Sequence, residues 1–364
     1  MIRVGIISMQ KVPNYGSFLQ AYALKQLLLK AGADSVDYLD IKKGRQFLPN
    51  NNTNRLLNMK TLYLREFVSK IKTRKYLKER RKRFLPYYEY FKNDNTPDVI
   101  YDLAVIGSDE VFNCCQPSPW GFSRQLFGDV ENSRRAITYA ASFGSTTLKK
   151  IEQFGLNGEI KECLNKLSAI SIRDDNSLQI VKDLTGITPQ KHWDPVLIYG
   201  YKEEIERNVD AVTPSEDYII VYSYAGRIND KSEIKNIRTF AKNNGLKLYS
   251  LFCNYSWCDG EIIPEHPLQV PAIFRKAKYA VSDTFHGTIF SIISHTKFGT
   301  LVRDGNVHKL SSLLEGVGLI DRIVTKPEAL ASILVKDINY NEVESLIEKE
   351  RIRTSDYLLQ YVKG

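Results

Sequence analysis

Strand-like and helix-like runs alternate along almost the whole of this 364-residue chain, and that alternation limits the folds open to it. Ile2–Ser8 reads as a buried strand, and Ser17–Lys30 carries Leu19, Tyr22, Ala23, Gln26 and Leu27 at helical spacing. Ser35–Ile41, Asp102–Gly107, Ala136–Ser142 and Ala169–Ile172 are further strands, with a helix-like stretch from Leu148 to Leu167. Such an order argues for parallel sheets covered by helices on both faces. Around Tyr199–Asp217 the pattern breaks into a polar, acidic stretch, which sets a domain boundary. It restarts with strands at Tyr218–Tyr224, Leu246–Phe252, Lys278–Ser282 and Phe298–Val302. Helices at Lys231–Asn243, Val270–Ala277, Thr284–His295 and Val307–Gly316 separate or follow them, and the last forty residues or so read as charged helices. The expectation is an α/β protein of two Rossmann-like, doubly wound lobes, residues 1–200 and 217–364, with a central cleft. The length agrees, since it exceeds what one ordinary hydrophobic core supports.

Composition narrows the setting. Hydrophobic residues make up 43% and charged residues 26%, values typical of globular proteins. No apolar run approaches the ~18–20 residues of a membrane span, and Met1–Ser8 reads as a strand instead of a leader, so a cytoplasmic location is expected. The five cysteines lack Cys-x-x-Cys spacing, and the five histidines do not join them at zinc-ligand intervals, so no metal site built from cysteine is expected. The net charge of +9 has a location. Between Lys60 and Phe84 eleven Lys/Arg face two Glu, and Tyr63, Phe67 and Ile71 mark an amphipathic helix with a basic face. A solvated face and peripheral contact with an anionic inner membrane surface are the two readings of that segment. No nucleic-acid module surrounds it, so nucleic acid is not an expected partner.

Polar turns fall at the carboxyl ends of strands, where α/β sheets hold ligands. Pro13–Gln20 follows the first strand; there Gly16 permits close backbone approach and Ser17 is able to cap the next helix. Gly107–Asn113, Ser171–Ser177 and His192–Pro195 close later strands. In the second lobe Val281–Thr288 sets Asp283, Thr284 and His286 at a helix start, whose free N–H groups favour an anion. Capping by Asp283 or Thr284, and a core role for His286, are the plainer readings of the same turn.

Taken in order, these turns resemble the polysaccharide pyruvyl transferase family. The match runs through Asn14-x-Gly16, Gly107-Ser108-Asp109 with Phe112 and Asn113, Ala141–Gly144, Ser171–Asp174, Asp194-Pro195 and His286-Gly287. Asn306–Lys309 and Gly316–Leu319 extend it into the C-terminal region. The resemblance implies a two-lobed fold similar to the GT-B glycosyltransferases. It also implies transfer of pyruvate from phosphoenolpyruvate onto two hydroxyls of one sugar, as a cyclic ketal in a capsule, exopolysaccharide or cell-wall polymer or its lipid-linked precursor. Phosphoenolpyruvate is then the donor substrate, with no separate cofactor.

On this basis His286 is the expected general acid/base, and Arg173 the residue that binds the donor's anionic groups. Asp283 is expected to orient the imidazole, activate a hydroxyl or cap the helix. Asn14, Gly16, Ser17, Gln20, Ser108, Asp109 and Asn113 would hold the acceptor sugar. Thr284, Gly287 and Lys309 complete the expected site. Many family members carry Arg where this chain has Thr284, so another cation is needed; Arg173 comes first, then Arg227 and Arg303. The alternative is a nucleotide-sugar glycosyltransferase on the same fold. Glu342 and Glu350 have a spacing seen in some of those enzymes, but their charged surroundings read as a solvated helix face.

Overall fold

The computed structural model describes residues 1–47, 78–93, 99–115, 118, 120–208, 214–303 and 305–364. The expected amphipathic helix through Tyr63, Phe67 and Ile71 lies outside the described residues. Of the basic segment only its end is described, where Arg83 pairs with Glu261 of the second lobe at 2.9 Å.

Two six-stranded parallel sheets form the two lobes. The first comprises β1 (Arg3–Ile7), β2 (Ser35–Tyr38), β3 (Leu103–Asp109), β4 (Ala136–Ala141), β5 (Ser171–Ile172) and β6 (Gln190–Lys191), in the order β2-β1-β3-β4-β5-β6. The second comprises β7 (Tyr218–Tyr222), β8 (Lys247–Leu251), β9 (Gly260–Ile262), β10 (Tyr279–Ser282), β11 (Lys297–Leu301) and β12 (Ile323–Val324), in the order β12-β11-β10-β7-β8-β9. Every residue of β4 and β7 is buried, which is why these strands read as unbroken apolar runs. The registers Ile6↔Val105, Val105↔Ile137 and Val281↔Val221 stack these apolar residues side by side. Strands β6, β9 and β12 escaped the sequence reading because two or three residues show no periodicity. The expected helix Leu148–Leu167 is two helices, Leu148–Gln153 and Asn157–Leu164, parted near Gly155 at φ +65°.

In each sheet the direction of winding reverses once, between β1 and β3 and between β7 and β10. A doubly wound sheet opens a crevice at the carboxyl ends of those central strands. One crevice receives the turns after β1 and β3, the other the turns after β7 and β10, and residues from all four line a shared cleft. The lobes meet through a continuous core below it, where Tyr15 packs edge-on against Phe252 and Tyr87 donates to the Pro264 carbonyl at 3.0 Å.

The last helix, Tyr340–Lys363, follows the second sheet in sequence but returns to the first. Tyr357 Oη donates to the Thr138 carbonyl at 2.8 Å, and Thr354 meets Tyr139 Oη at 3.2 Å. Tyr357 also packs on the buried His192 ring at 4.7 Å. Burial and the nearby Arg353 charge push the His192 pKa down to about 4. The fold thus favours the neutral ring, so this contribution is full above about pH 6.5 and is lost as the pH falls through about 4. Over that window His192 should cost about 3 kcal/mol of stability, at ~1.4 kcal/mol per pH unit. Urea unfolding at pH 7 and pH 4.5 should show a clearly smaller acid loss in His192→Gln, and equal losses in both proteins would refute the assignment.

Candidate active site

At the start of the helix Tyr15–Lys30, Asn14 rather than the expected Ser17 is the cap. Its Oδ1 accepts from the Gly16 N–H at 2.8 Å. Asn14 Nδ2 also donates to Tyr224 Oη of the second lobe at 2.6 Å, so one side chain ends a helix and ties the lobes together. Ser17 Oγ donates to Asp109 at 3.1 Å across the β1–β3 crevice.

From the opposite lobe, Thr284 caps the helix Phe285–Ile293, accepting from the Gly287 N–H at 3.0 Å. That cap fixes the first turn, and the first turn aims His286 at Gly16. A Cβ added to Gly16 would lie 2.2 Å from His286 Nδ1, so only glycine leaves room for the imidazole. In a helix, Gly→Ala ordinarily stabilises by up to about 1 kcal/mol. Gly16→Ala should therefore keep a folded, cooperatively melting protein but displace the ring, and turnover should fall at least about tenfold, as positional errors of ~1 Å do. Calorimetric melting beside initial rates checks this; unchanged rates would mean that the ring tolerates the shift.

The imidazole's Nε2 lies 3.5 Å from Asp194 Oδ2. Asp194 is fully buried at the end of β6, where its Oδ1 caps the helix Pro195–Tyr199 by accepting from the Val196 N–H. Arg173 Nη1 donates to the same Oδ2 at 2.7 Å, and Ser108 Oγ reaches it at 3.3 Å. Burial alone would raise the Asp194 carboxyl; His286, Arg173 and the Val196 N–H outweigh it and hold that carboxyl well below the usual range. Burial likewise opposes the Arg173 charge, but Asp194 and then Asp109 keep the guanidinium protonated. Asp109 Oδ1 lies 3.6 Å from Arg173 Nη2, and the Phe285 ring covers the guanidinium at 4.4 Å. Arg173 Nε and Nη2 and His286 Nε2 are buried without a hydrogen-bond partner. Buried donors in that condition are rare in a finished core and call for an explanation.

These groups stand beside an open cleft of about 1250 Å³ between the lobes. His286, Thr284 and Arg227 line it from one side, and Asn14, Ser17, Asp109 and Asn113 from the other. Lys309 crosses it to Glu110 at 2.8 Å. Burial would raise Glu110, but Lys309 and Arg173 pull its carboxyl down to about 2.

A model of one protein family, polysaccharide pyruvyl transferase, matches residues 14–305, from the capping Asn14 to just beyond Arg303. The chain belongs to the polysaccharide pyruvyl transferase family. No curated relative matches it by sequence. Among solved structures it is similar in fold to Arabidopsis thaliana UGT89C1, at 9% identity and a TM-score of 0.51 over 99% of each chain. The same plant protein complexed with UDP-L-rhamnose gives 0.50 at 10% identity, over 99% of this chain and 98% of that one. The two-lobed α/β fold is thus that of the GT-B glycosyltransferases, as the resemblance implied.

Within that family fold, the expected site residues separate into groups. Asn14, Gly16, Ser17, Asp109, Asn113, Arg173, His286 and Lys309 come together at the cleft or directly behind its wall. Gln20 and Ser108 do not reach the cleft surface. Both are fully buried, and Gln20 Oε1 accepts from the Ser108 N–H at 3.1 Å, so they brace the two central turns instead of touching a sugar. Gly287 is a packing position, since a Cβ there would meet Ser282 Oγ at 2.1 Å. The Thr284 hydroxyl is committed to its cap. Asp283 neither orients His286 nor caps its helix. It is fully buried and held by Ser223 at 2.6 Å, Arg227 at 3.1 Å and Arg303 at 3.3 Å. Arg303 is spent in turn on Glu233, with contacts of 2.6 and 2.9 Å. Asp194 was the residue missed: its Asp-Pro turn was legible, but a carboxylate before proline looks like a helix cap, and here it is a cap and the imidazole's partner together. Glu350 is also no solvated residue, its side chain being 12% exposed beside Arg353.

Among the described residues, no cluster of three or more His, Cys, Asp or Glu has the arrangement of a metal site. No helix among them is long and apolar enough to cross a membrane.

Proposed function

We propose that the protein transfers pyruvate from phosphoenolpyruvate to two hydroxyls of one sugar in a cell-surface polysaccharide or its lipid-linked precursor, forming a cyclic ketal. The observation that carries this reading is the meeting of His286 from one lobe with Gly16, Asp194 and Arg173 from the other. Proton donor and anion binder flank one buried carboxylate, Asp194, at 3.5 and 2.7 Å, at the edge of a cleft wide enough for a saccharide.

His286 protonates the vinyl CH₂ of the donor, leaving an oxocarbenium-like carbon. The first sugar hydroxyl adds to that carbon and gives up its proton. Phosphate then leaves with the C–O electron pair, and the second hydroxyl closes the ring and loses its proton in turn. Arg173 holds the donor's anionic groups by charge-assisted hydrogen bonds, with Lys309 and Arg227 nearby. Asp194 orients the imidazole and balances its charge when it carries the proton. Asn14, Ser17, Asp109, Glu110 and Asn113 offer donors and acceptors to the sugar hydroxyls. The basic segment 60–84 would let the enzyme lie on an anionic membrane surface while a lipid-linked acceptor enters.

Calorimetric titration with phosphoenolpyruvate, with UDP as parallel ligand, tests this without knowledge of the acceptor. Saturable phosphoenolpyruvate binding, lost in Arg173→Ala, is expected. Binding of UDP alone would move the protein to nucleotide-sugar chemistry.

A further inference from the structure

Cys114 and Cys115 stand side by side beyond the turn that follows β3, with their sulfurs 3.8 Å apart. Cys114 is buried and Cys115 partly exposed. The contact with Cys114 lowers the Cys115 thiol against the opposing effect of burial, and Thr146 and the Lys150 charge lower it further. The other three cysteines differ. Burial pushes the Cys163 thiol up to about 11, and those of Cys253 and Cys258 up to about 12. The thiolate is the reactive form, so Cys115 is the cysteine most open to an oxidant. An accessible thiolate with a second thiol beside it is the arrangement of a redox sensor.

Hydrogen bonds join the pair to the cleft. The N–H of the Cys114–Cys115 peptide donates to Thr146 Oγ1 at 3.3 Å, and that hydroxyl donates to Asn113 Oδ1 at 2.8 Å. Asn113 Nδ2 donates to Glu110 Oε2 at 2.8 Å, and Glu110 Oε1 holds Lys309 across the cleft at 2.8 Å. Asn113, Glu110 and Lys309 all line that cleft. Adjacent Cα atoms lie about 3.8 Å apart across a trans peptide, whereas a disulfide normally spans about 4.4–6.8 Å. A bond between these neighbours must therefore turn the peptide that joins them. The N–H bonded to Thr146 belongs to that peptide.

We propose that Cys115 and Cys114 are an oxidation-sensing pair: a hydroperoxide oxidises Cys115, Cys114 closes a vicinal disulfide, and the turned peptide loosens the Asn113–Glu110 wall of the cleft. The Cys115 sulfur attacks one peroxide oxygen, the O–O bond breaks, and a sulfenic acid forms while water or an alcohol leaves with the thiol proton. Until then the hydrogen bond to Cys115, together with burial, holds the proton on Cys114. Oxidation removes the negative sulfur that accepted it. Cys114 then attacks Cys115; the S–S bond forms, the S–O bond breaks, and a second water leaves. The two sulfurs together give two electrons to the peroxide. Strain in the ring keeps the bond open to reduction by thiols, so the change is reversible. The disulfide is independent of the function proposed above, and only its effect on turnover rests on that reading.

The full-length protein should be treated with hydrogen peroxide, alkylated, digested and weighed, before and after dithiothreitol. The peptide that carries both cysteines should lose two hydrogens and regain them on reduction. Cys114→Ser should stop at a sulfenic acid that dimedone traps, and Cys115→Ser should keep its remaining thiol. Amide exchange in residues 110–115 and 142–147 should quicken on oxidation of the wild type but not of Cys115→Ser. Turnover should fall about tenfold or more in the oxidised wild type alone, through displacement of cleft groups. Two alkylatable thiols after peroxide overturn the proposal, as does Cys115 driven to sulfinic acid beside an intact Cys114. A disulfide that leaves exchange or turnover unchanged overturns the link to the cleft. If disulfide and exchange behave as expected while the reduced protein turns over no phosphoenolpyruvate, the sensor stands and the pyruvyl transfer reading falls.

Discussion

His286→Ala is expected to lower turnover by about 10²–10⁴, the usual cost of losing a general acid/base, while the melting profile stays cooperative. The side chain is buried, but its surroundings are those of a site and not of a finished core. One nitrogen faces Gly16 across the lobe junction, and the other lies at 3.5 Å from Asp194 without a good hydrogen bond. Removing the ring therefore breaks no strong hydrogen bond, and its cost is the cavity left against Gly16 and Phe290. His286→Gln is the informative companion. It keeps polarity and much of the volume but has no proton to give at neutral pH, so its rate should stay close to that of the alanine variant. Recovery of wild-type rates by Gln would make His286 a hydrogen-bonding residue only, and an alanine variant above a tenth of wild-type activity would remove the residue from the chemistry. Phosphate release from phosphoenolpyruvate in the presence of acceptor is the assay.

Much of the architecture was written in the order of apolar runs, because strands buried on both faces have no polar alternation to blur them. Tyr218–Tyr222 and Ala136–Ala141 are such cases, and both were placed within two residues. Strands of two residues, such as Gln190–Lys191, owe their existence to a neighbour and carry no local signal. The site divided along the same line. His286, Arg173 and the Asn14–Ser17 turn stood out because each lies in a polar turn that closes a strand. Only the first and last of these strands lie where a sheet reverses direction; β5, before Arg173, lies toward the edge. Which carboxylate serves the imidazole was not legible, since Asp283 is three residues from His286 and Asp194 is ninety-two away. Adjacency in sequence favoured Asp283; the fold buries it against Arg227 and Arg303 and brings Asp194 across from the other lobe. The third candidate cation, Arg303 of the second lobe, was a candidate for the donor until Glu233 claimed both its terminal nitrogens.

Asp194→Asn should be the most destabilising conservative change at the site, by about 3–5 kcal/mol at pH 7, because it leaves a buried arginine without its closest counter-charge. The substitution preserves shape and the carbonyl oxygen that accepts from the Val196 N–H, so the loss isolates charge. Arg173 would then rely on Asp109, 3.6 Å away. The wild-type carboxyl titrates below its unfolded range, so its stabilisation is fully present above about pH 4 and fades as the pH falls further. The gap between wild type and Asp194→Asn should accordingly be constant from neutral pH down to about 4 and narrow below it. Combining Asp194→Asn with Arg173→Gln should cost clearly less than the two single changes added together, since neither partner is then left as a lone buried charge. Urea unfolding across pH measures both. Additive losses, or a gap that persists unchanged at pH 3, would mean that Arg173 and Asp194 do not depend on each other, and the carboxylate that stands between His286 and the anion binder would lose its role.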